Sequence, residues 1–196
     1  MNIICYTLLE ILNESRKMAV DYRGELFMLR KTFVIASLMM FTLVGNAMAQ
    51  SPTQIGVYDK WGAYSYKTAS NTVCYVLSVP TKMEPSTVNH GDNYFLVSQR
   101  VGKAGSFEPQ FMAGYDLATN SKVTVSVDGK SFTLFTKDKS AWIADQATEA
   151  QLVAAMRAGS NMVVKATSKR GTNTTYTYSL KGITASLNAA QKKCGS

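Results

Sequence analysis

The chain has 196 residues, 46% hydrophobic and 17% charged, which excludes a disordered or collagen-like polymer and suits one globular domain with an appendage. One histidine and three cysteines exclude a zinc-finger array and a three-histidine metal site. The 21 Lys and Arg outnumber the 13 Asp and Glu, for a net charge of +8.

Residues 1–27 carry Glu10, Glu14, Arg16, Lys17, Asp21, Arg23 and Glu25 without a folding pattern and precede a segment complete in itself. A start assigned too early, with initiation at Met28, is the expected explanation. From Met28 the order is Arg30 and Lys31, a mostly apolar run of twelve residues from Phe33 to Val44, then Ala47-Met48-Ala49 before Gln50. Residues 28–49 therefore read as a secretory signal peptide with a small-x-small cleavage site. The apolar run stops at Gly45-Asn46, short of the roughly 20 residues a transmembrane helix needs.

Cleavage after Ala49 leaves 147 residues, 50–196, as a single domain with 16 Lys and Arg against 9 Asp and Glu, a charge of +7. Such a charge draws a protein towards anionic lipid, acidic polysaccharide or nucleic acid, and export argues against nucleic acid. Cleavage also removes Cys5 and leaves Cys74 and Cys194 as an even pair in an oxidising compartment, where a disulfide is the expected state. Two buried free thiols are the alternative.

Within the domain, short alternating runs between turn signals predict an antiparallel β-sandwich of about nine strands. They fall near Val57 to Lys67, Thr72 to Val79, Asn93 to Val101, Phe107 to Tyr115, Lys122 to Val127, Lys130 to Thr136, Ala141 to Ala144, Asn161 to Ser168 and Thr172 to Lys181. Asp128-Gly129 is a two-residue hairpin turn, since both positions tolerate positive φ; it sets Val125 opposite Phe132 and Val123 opposite Leu134. Lys169-Arg170-Gly171 is a three-residue turn with Gly at the left-handed position, and it sets Val164 opposite Tyr176 and Met162 opposite Tyr178.

Two short helices are predicted. Thr148 and Gln151 form a capping box ahead of Leu152, Val153 and Met156, and Gly159 stops that helix. In the C-terminal helix Ile183, Leu187, Ala190 and Cys194 share one face, which aims Cys194 into the core.

The mature chain lacks Gly-x-Ser-x-Gly, His-Glu-x-x-His, Ser-x-x-Lys, Cys-x-x-Cys, a P-loop and a dinucleotide-binding glycine fingerprint. No catalytic residue, cofactor or metal ligand is assigned. His90, in Asn89-His90-Gly91-Asp92, reads as an exposed turn histidine. The nine mature carboxylates read mostly as turn and cap residues. The many aromatics read as core and sheet-face packing, with a stacking platform as the alternative. Lys169 and Arg170, solvated at a hairpin tip, and Lys165 nearby are a candidate anion contact.

The ordered landmarks are Asp59-Lys60-Trp61, Thr72-Val73-Cys74-Tyr75, Asp128-Gly129, Ala141-Trp142-Ile143-Ala144-Asp145, Ala155-Met156-Arg157-Ala158-Gly159, Arg170-Gly171-Thr172 and Tyr178-Ser179-Leu180-Lys181-Gly182-Ile183-Thr184-Ala185. In that order they resemble the invasion-associated locus B family of exported alphaproteobacterial proteins. The resemblance implies a periplasmic or surface-associated β-sandwich and a link to bacterial entry into host cells; it implies no reaction. Where the founding branch carries further cysteines, this chain has Tyr64, Tyr66 and Trp142 in the matching neighbourhoods.

The leading functional reading is a non-enzymatic envelope or host-contact module that meets an anionic envelope or host-surface component. Its competitors are a hydrolase with an unrecognised carboxylate pair and an envelope assembly factor or inhibitor with an exposed apolar patch. The targeting expectation is directly testable. A chain starting at Met28 should be exported with Gln50 at its mature N-terminus, and its retention in the cytoplasm while the full chain is exported would overturn the assignment.

Overall fold

The computed structural model describes residues 51–103 and 105–195; the segments expected to be an extension, 1–27, and a signal peptide, 28–49, lie outside the described residues. In chain order the strands are β1 (Thr53–Tyr58), β2 (Trp61–Lys67), β3 (Thr72–Ser78), β4 (Lys82–Glu84), β5 (Tyr94–Gln99), β6 (Phe107–Met112), β7 (Lys122–Val127), β8 (Lys130–Lys137) and β9 (Ser140–Trp142). Helix α1 (Gln146–Ala158), β10 (Asn161–Thr167), β11 (Asn173–Ser179) and helix α2 (Ile183–Cys194) follow.

The expected nine-stranded sandwich is corrected to one antiparallel sheet of 11 strands, ordered β1-β2-β3-β5-β6-β9-β8-β7-β10-β11-β4. Two strands escape the sequence pattern. The run from Val57 is broken where Asp59 turns with φ 55°, so Tyr58 pairs with Trp61 as a hairpin and β1 begins earlier, at Thr53. Strand β4 has only three residues, all exposed, and a fully exposed edge strand shows no hydrophobic alternation. The short strand β9 pairs with both β6 and β8, so a continuous ladder replaces the gap between two sandwich layers.

The sheet nevertheless folds over on itself. Phe95 of β5 meets Tyr178 of β11 with ring centroids 5.9 Å apart, and Phe111 of β6 meets Tyr176 at 5.4 Å. Across the same interior Trp61 Nε1 donates to the Ser179 carbonyl at 2.9 Å. Trp61, Phe95, Phe111, Tyr176 and Tyr178 are fully buried, each worth about 2–3 kcal/mol of apolar transfer.

Both predicted hairpin registers are present: Val125 faces Phe132 and Val123 faces Leu134; Val164 faces Tyr176 and Met162 faces Tyr178. Asp128 and Gly129 both take positive φ, 43° and 93°, the geometry that matches strand twist. Gly171 takes φ 83° at the second tip.

Helix α1 starts one turn earlier than the predicted capping box. Its N-cap is Asp145, whose carboxylate accepts from the Thr148 N–H at 2.8 Å. That hydrogen bond holds the Asp145 carboxyl below the usual carboxylate range. The cap is therefore intact at neutral pH and is lost as the pH falls into the range where Asp145 protonates. Glu149, expected among turn and cap carboxylates, is instead buried, and both its oxygens accept from Arg100 Nη2, at 2.7 and 2.9 Å. The pair ties α1 to the end of β5.

Helix α2 lays Ile183, Leu187 and Ala190 against β1, β2 and β3. At its last residue Cys194 is bonded to Cys74 of β3, with Cα atoms 5.9 Å apart and 120 positions between them in sequence. A loop of that length is worth up to about 5 kcal/mol in the chain-entropy account. Cys74→Ser should therefore lower the melting temperature well below the parent and release α2 first. Hydrogen exchange should show α2 amides losing protection while the β7–β8 and β10–β11 hairpins keep theirs.

Candidate functional site

A cleft of about 510 Å³ opens where the β10–β11 hairpin meets the loops β4–β5 and β6–β7. Its walls include His90, Tyr115, Asp116, Ser168, Lys169 and Arg170. The hairpin supplies the two cations. Ser168 N donates to the Thr172 carbonyl and Gly171 N to the Ser168 carbonyl, so the tip closes in three residues and leaves Lys169 and Arg170 exposed. Lys169 N also donates to the Asp116 carbonyl at 2.8 Å, which fixes the tip against the opposite wall.

The facing loop is held by Asn93, itself buried. Its amide donates to the carbonyls of His90 and Gly91 at 2.9 and 3.0 Å, and its Oδ1 accepts from Gly114 N at 3.2 Å. Gly114 is required there, because a Cβ would strike the His90 carbonyl.

His90 departs from the expectation of an exposed turn residue: it is 6% exposed. A turn sequence sets local backbone shape and says nothing about what packs over the turn. Here Tyr176 and the Pro85 carbonyl cover the ring, with Nδ1 3.0 Å from Tyr176 Oη and Nε2 2.9 Å from Pro85 O. The network continues inward. Tyr176 Oη donates to Tyr115 Oη at 3.0 Å, Tyr115 Oη lies 2.6 Å from Thr174 Oγ1, and Thr174 Oγ1 donates to the Ala166 carbonyl at 3.2 Å. Burial pushes the Tyr176 phenol far above its ordinary range, so it serves as a neutral relay of hydrogen bonds.

The three candidate anion contacts separate. Lys169 and Arg170 line the cleft, whereas Lys165 does not. Lys165 alternates with the buried Val164 and Ala166 and so projects from the outer face of β10, paired with Thr124 and Thr175 on its neighbours. Lys165 lies two residues before the end of β10, on the face opposite Ala166 and Thr174, whereas Lys169 has left the strand for the turn. Cys74 and Cys194 lie away from the cleft, bonded to each other between β3 and α2.

The described residues contain no group of three or more His, Cys, Asp or Glu placed to hold a metal ion. The cleft lining includes one carboxylate, Asp116, alongside the two cations. What the arrangement offers is fixed positive charge beside a hydrogen-bonded wall.

The family model for invasion-associated locus B protein matches residues 61–191, from the buried tryptophan of β2 to the last turn of α2. The chain belongs to the invasion-associated locus B family. In the solved structures it is similar to invasion-associated protein B from Bartonella henselae, at 16% identity and a TM-score of 0.53, over 72% of this chain and 97% of that one. At that identity the likeness shows a shared fold. No curated protein sequence matches the chain. No described helix is long and apolar enough to cross a membrane.

Two neighbouring phenols give a test of the network. Tyr176 Oη is bonded on two sides, whereas Tyr178 Oη is buried without a partner among the described residues. Tyr176→Phe should cost about 1–2 kcal/mol, and Tyr178→Phe should be neutral or stabilise by up to about 1 kcal/mol, both measured by urea denaturation.

Proposed function

We propose that the chain is an exported, non-enzymatic protein of the bacterial envelope or host-contact surface, and that it meets anionic material through Lys169 and Arg170. The observation that carries this reading is the pair of exposed cations fixed at the mouth of the cleft in a chain of this family. A periplasmic or surface location fits the signal-like segment 28–49 and the Cys74–Cys194 bond, which persists in oxidising compartments. A contribution to interaction with host cells is the corresponding biological role. A glycosidase-type hydrolase uses two carboxylates flanking its substrate, and the cleft wall supplies one.

Contacts made by exposed cations are screened by salt near roughly 0.15 M and carried by few residues. Binding to anionic liposomes or to acidic polysaccharide should weaken as salt rises and fall sharply in the Lys169→Glu/Arg170→Glu variant. Lys165→Glu should retain most of the affinity, since that side chain leaves the opposite face. Unchanged binding in the double variant removes the hairpin from the interaction.

A further inference from the structure

The hydrogen bonds around His90 can be counted proton by proton. Five contacts run in series: Pro85 O to His90 Nε2, Nδ1 to Tyr176 Oη, Tyr176 Oη to Tyr115 Oη, Tyr115 Oη to Thr174 Oγ1, and Thr174 Oγ1 to Ala166 O. Both ends are carbonyls, which only accept. The two phenols and the threonine bring one proton each, so all five bonds form together only when both nitrogens of His90 carry a proton. A neutral ring leaves one contact without its proton.

The ring therefore exists either as a cation with a complete network or as a neutral group with a broken one, and it lines the cleft that holds Lys169 and Arg170. The surrounding charged groups do not settle the choice. Lys82 and Glu84 on β4 are paired with each other at 2.8 Å, Asp92 on the loop after β4 is exposed, and Asp116 lines the cleft together with Lys169 and Arg170. The ring itself is bonded to the Tyr176 hydroxyl and the Pro85 carbonyl.

We propose that this cleft binds a small ligand bearing phosphate or sulfate groups, held by Lys169 and Arg170, and that His90 takes up a proton when the ligand binds. This deepens the anion-contact reading and rests on it. Arginine suits tetrahedral oxyanions through its planar fork of donors, and about 510 Å³ is within the range of small-molecule clefts. His90 has no free donor, so it acts through its charge; it is a positioning and electrostatic residue. An anion in the cleft favours the imidazolium, and by reciprocity the imidazolium favours the anion. Affinity for an anion that does not itself titrate should then rise as the pH falls.

The test uses two probes, inorganic pyrophosphate for a phosphate source and a trisulfated heparin disaccharide for a sulfated polysaccharide source. Preference between them at fixed pH names the source. The sulfated probe does not itself titrate between pH 5.5 and 8, so calorimetry with it should show roughly fivefold or greater tightening at the lower pH. At pH 7 repeated titrations in buffers of different ionisation enthalpy should show net proton uptake. Because the chain has one histidine, the ring ¹⁵N signals report its state without assignment, and saturation with whichever probe binds should drive them to the doubly protonated form. Tyr176→Phe, which interrupts the network, should reduce the pH dependence.

Binding that requires Lys169 and Arg170 but brings neither proton uptake nor a change in the ring signals overturns the His90 coupling and leaves the anion contact standing. Failure of both probes to bind, or binding untouched in Lys169→Gln/Arg170→Gln, overturns this proposal together with the hairpin reading. The ring signals and proton uptake are measured on the unaltered protein, so they decide even if the Tyr176 variant fails to fold.

Discussion

Everything in this protein depends on a long sheet being made to face itself. An antiparallel sheet of 11 strands has two open edges and two faces, and one face must be buried for the chain to be stable. Trp61 does this at the start of β2: its ring fills the interior and its indole N–H reaches the Ser179 carbonyl at the end of β11. A few residues away Lys60 N donates to the Lys181 carbonyl, and Gly182, at φ 92°, sits so close to Tyr58 that any side chain would collide with its carbonyl. The opening turn and the segment leading into α2 are thus one clamp, and the Cys74–Cys194 bond secures the far end of the same helix.

The cleft is a by-product of that closure. Where the folded sheet leaves room between the β10–β11 tip and two loops, polar side chains line the gap, and Asn93 stiffens one wall while the Lys169–Asp116 backbone bond stiffens the other. Tyr176 belongs to both worlds. Its ring packs on Phe111 in the core, and its hydroxyl is the middle of the network that reaches His90. One residue of the core thus also belongs to the hydrogen-bond network behind the cleft wall.

Much of this architecture is legible from local pattern alone. The Asp128-Gly129 turn and the Lys169-Arg170-Gly171 turn dictate their registers because positive φ and period-2 alternation leave one solution, and α2 shows its buried face through Ile183, Leu187 and Ala190. Features set by distant partners are not legible in this way. The burial of His90 depends on Tyr176, 86 positions away, and the burial of Glu149 depends on Arg100, 49 positions away. Strand β4 exists because Thr175, Tyr176 and Thr177 offer it an edge, not because Lys82, Met83 and Glu84 favour extension on their own. The N-cap at Asp145 is a case of two adequate local signals, in which the aspartate upstream wins by adding a turn to the helix. The separation of Lys165 from Lys169 is not a matter of parity, since positions four apart share a face; it arises because Lys169 has left the strand for the hairpin tip.

The span of the Trp61–Ser179 clamp, 118 positions, sets the order in which the molecule can be assembled. A chain made or threaded from its N-terminus presents β2 and β3 long before β11 and α2 exist, so the interior face of the first strands stays uncovered until the last few dozen residues arrive. Fast local hairpins form early, but the enclosing step has to wait for distant sequence and is slow for the same reason that all-β topologies of high contact order are slow. During that interval Trp61, Cys74 and Val76, all buried in the finished fold, lack the partners that cover them.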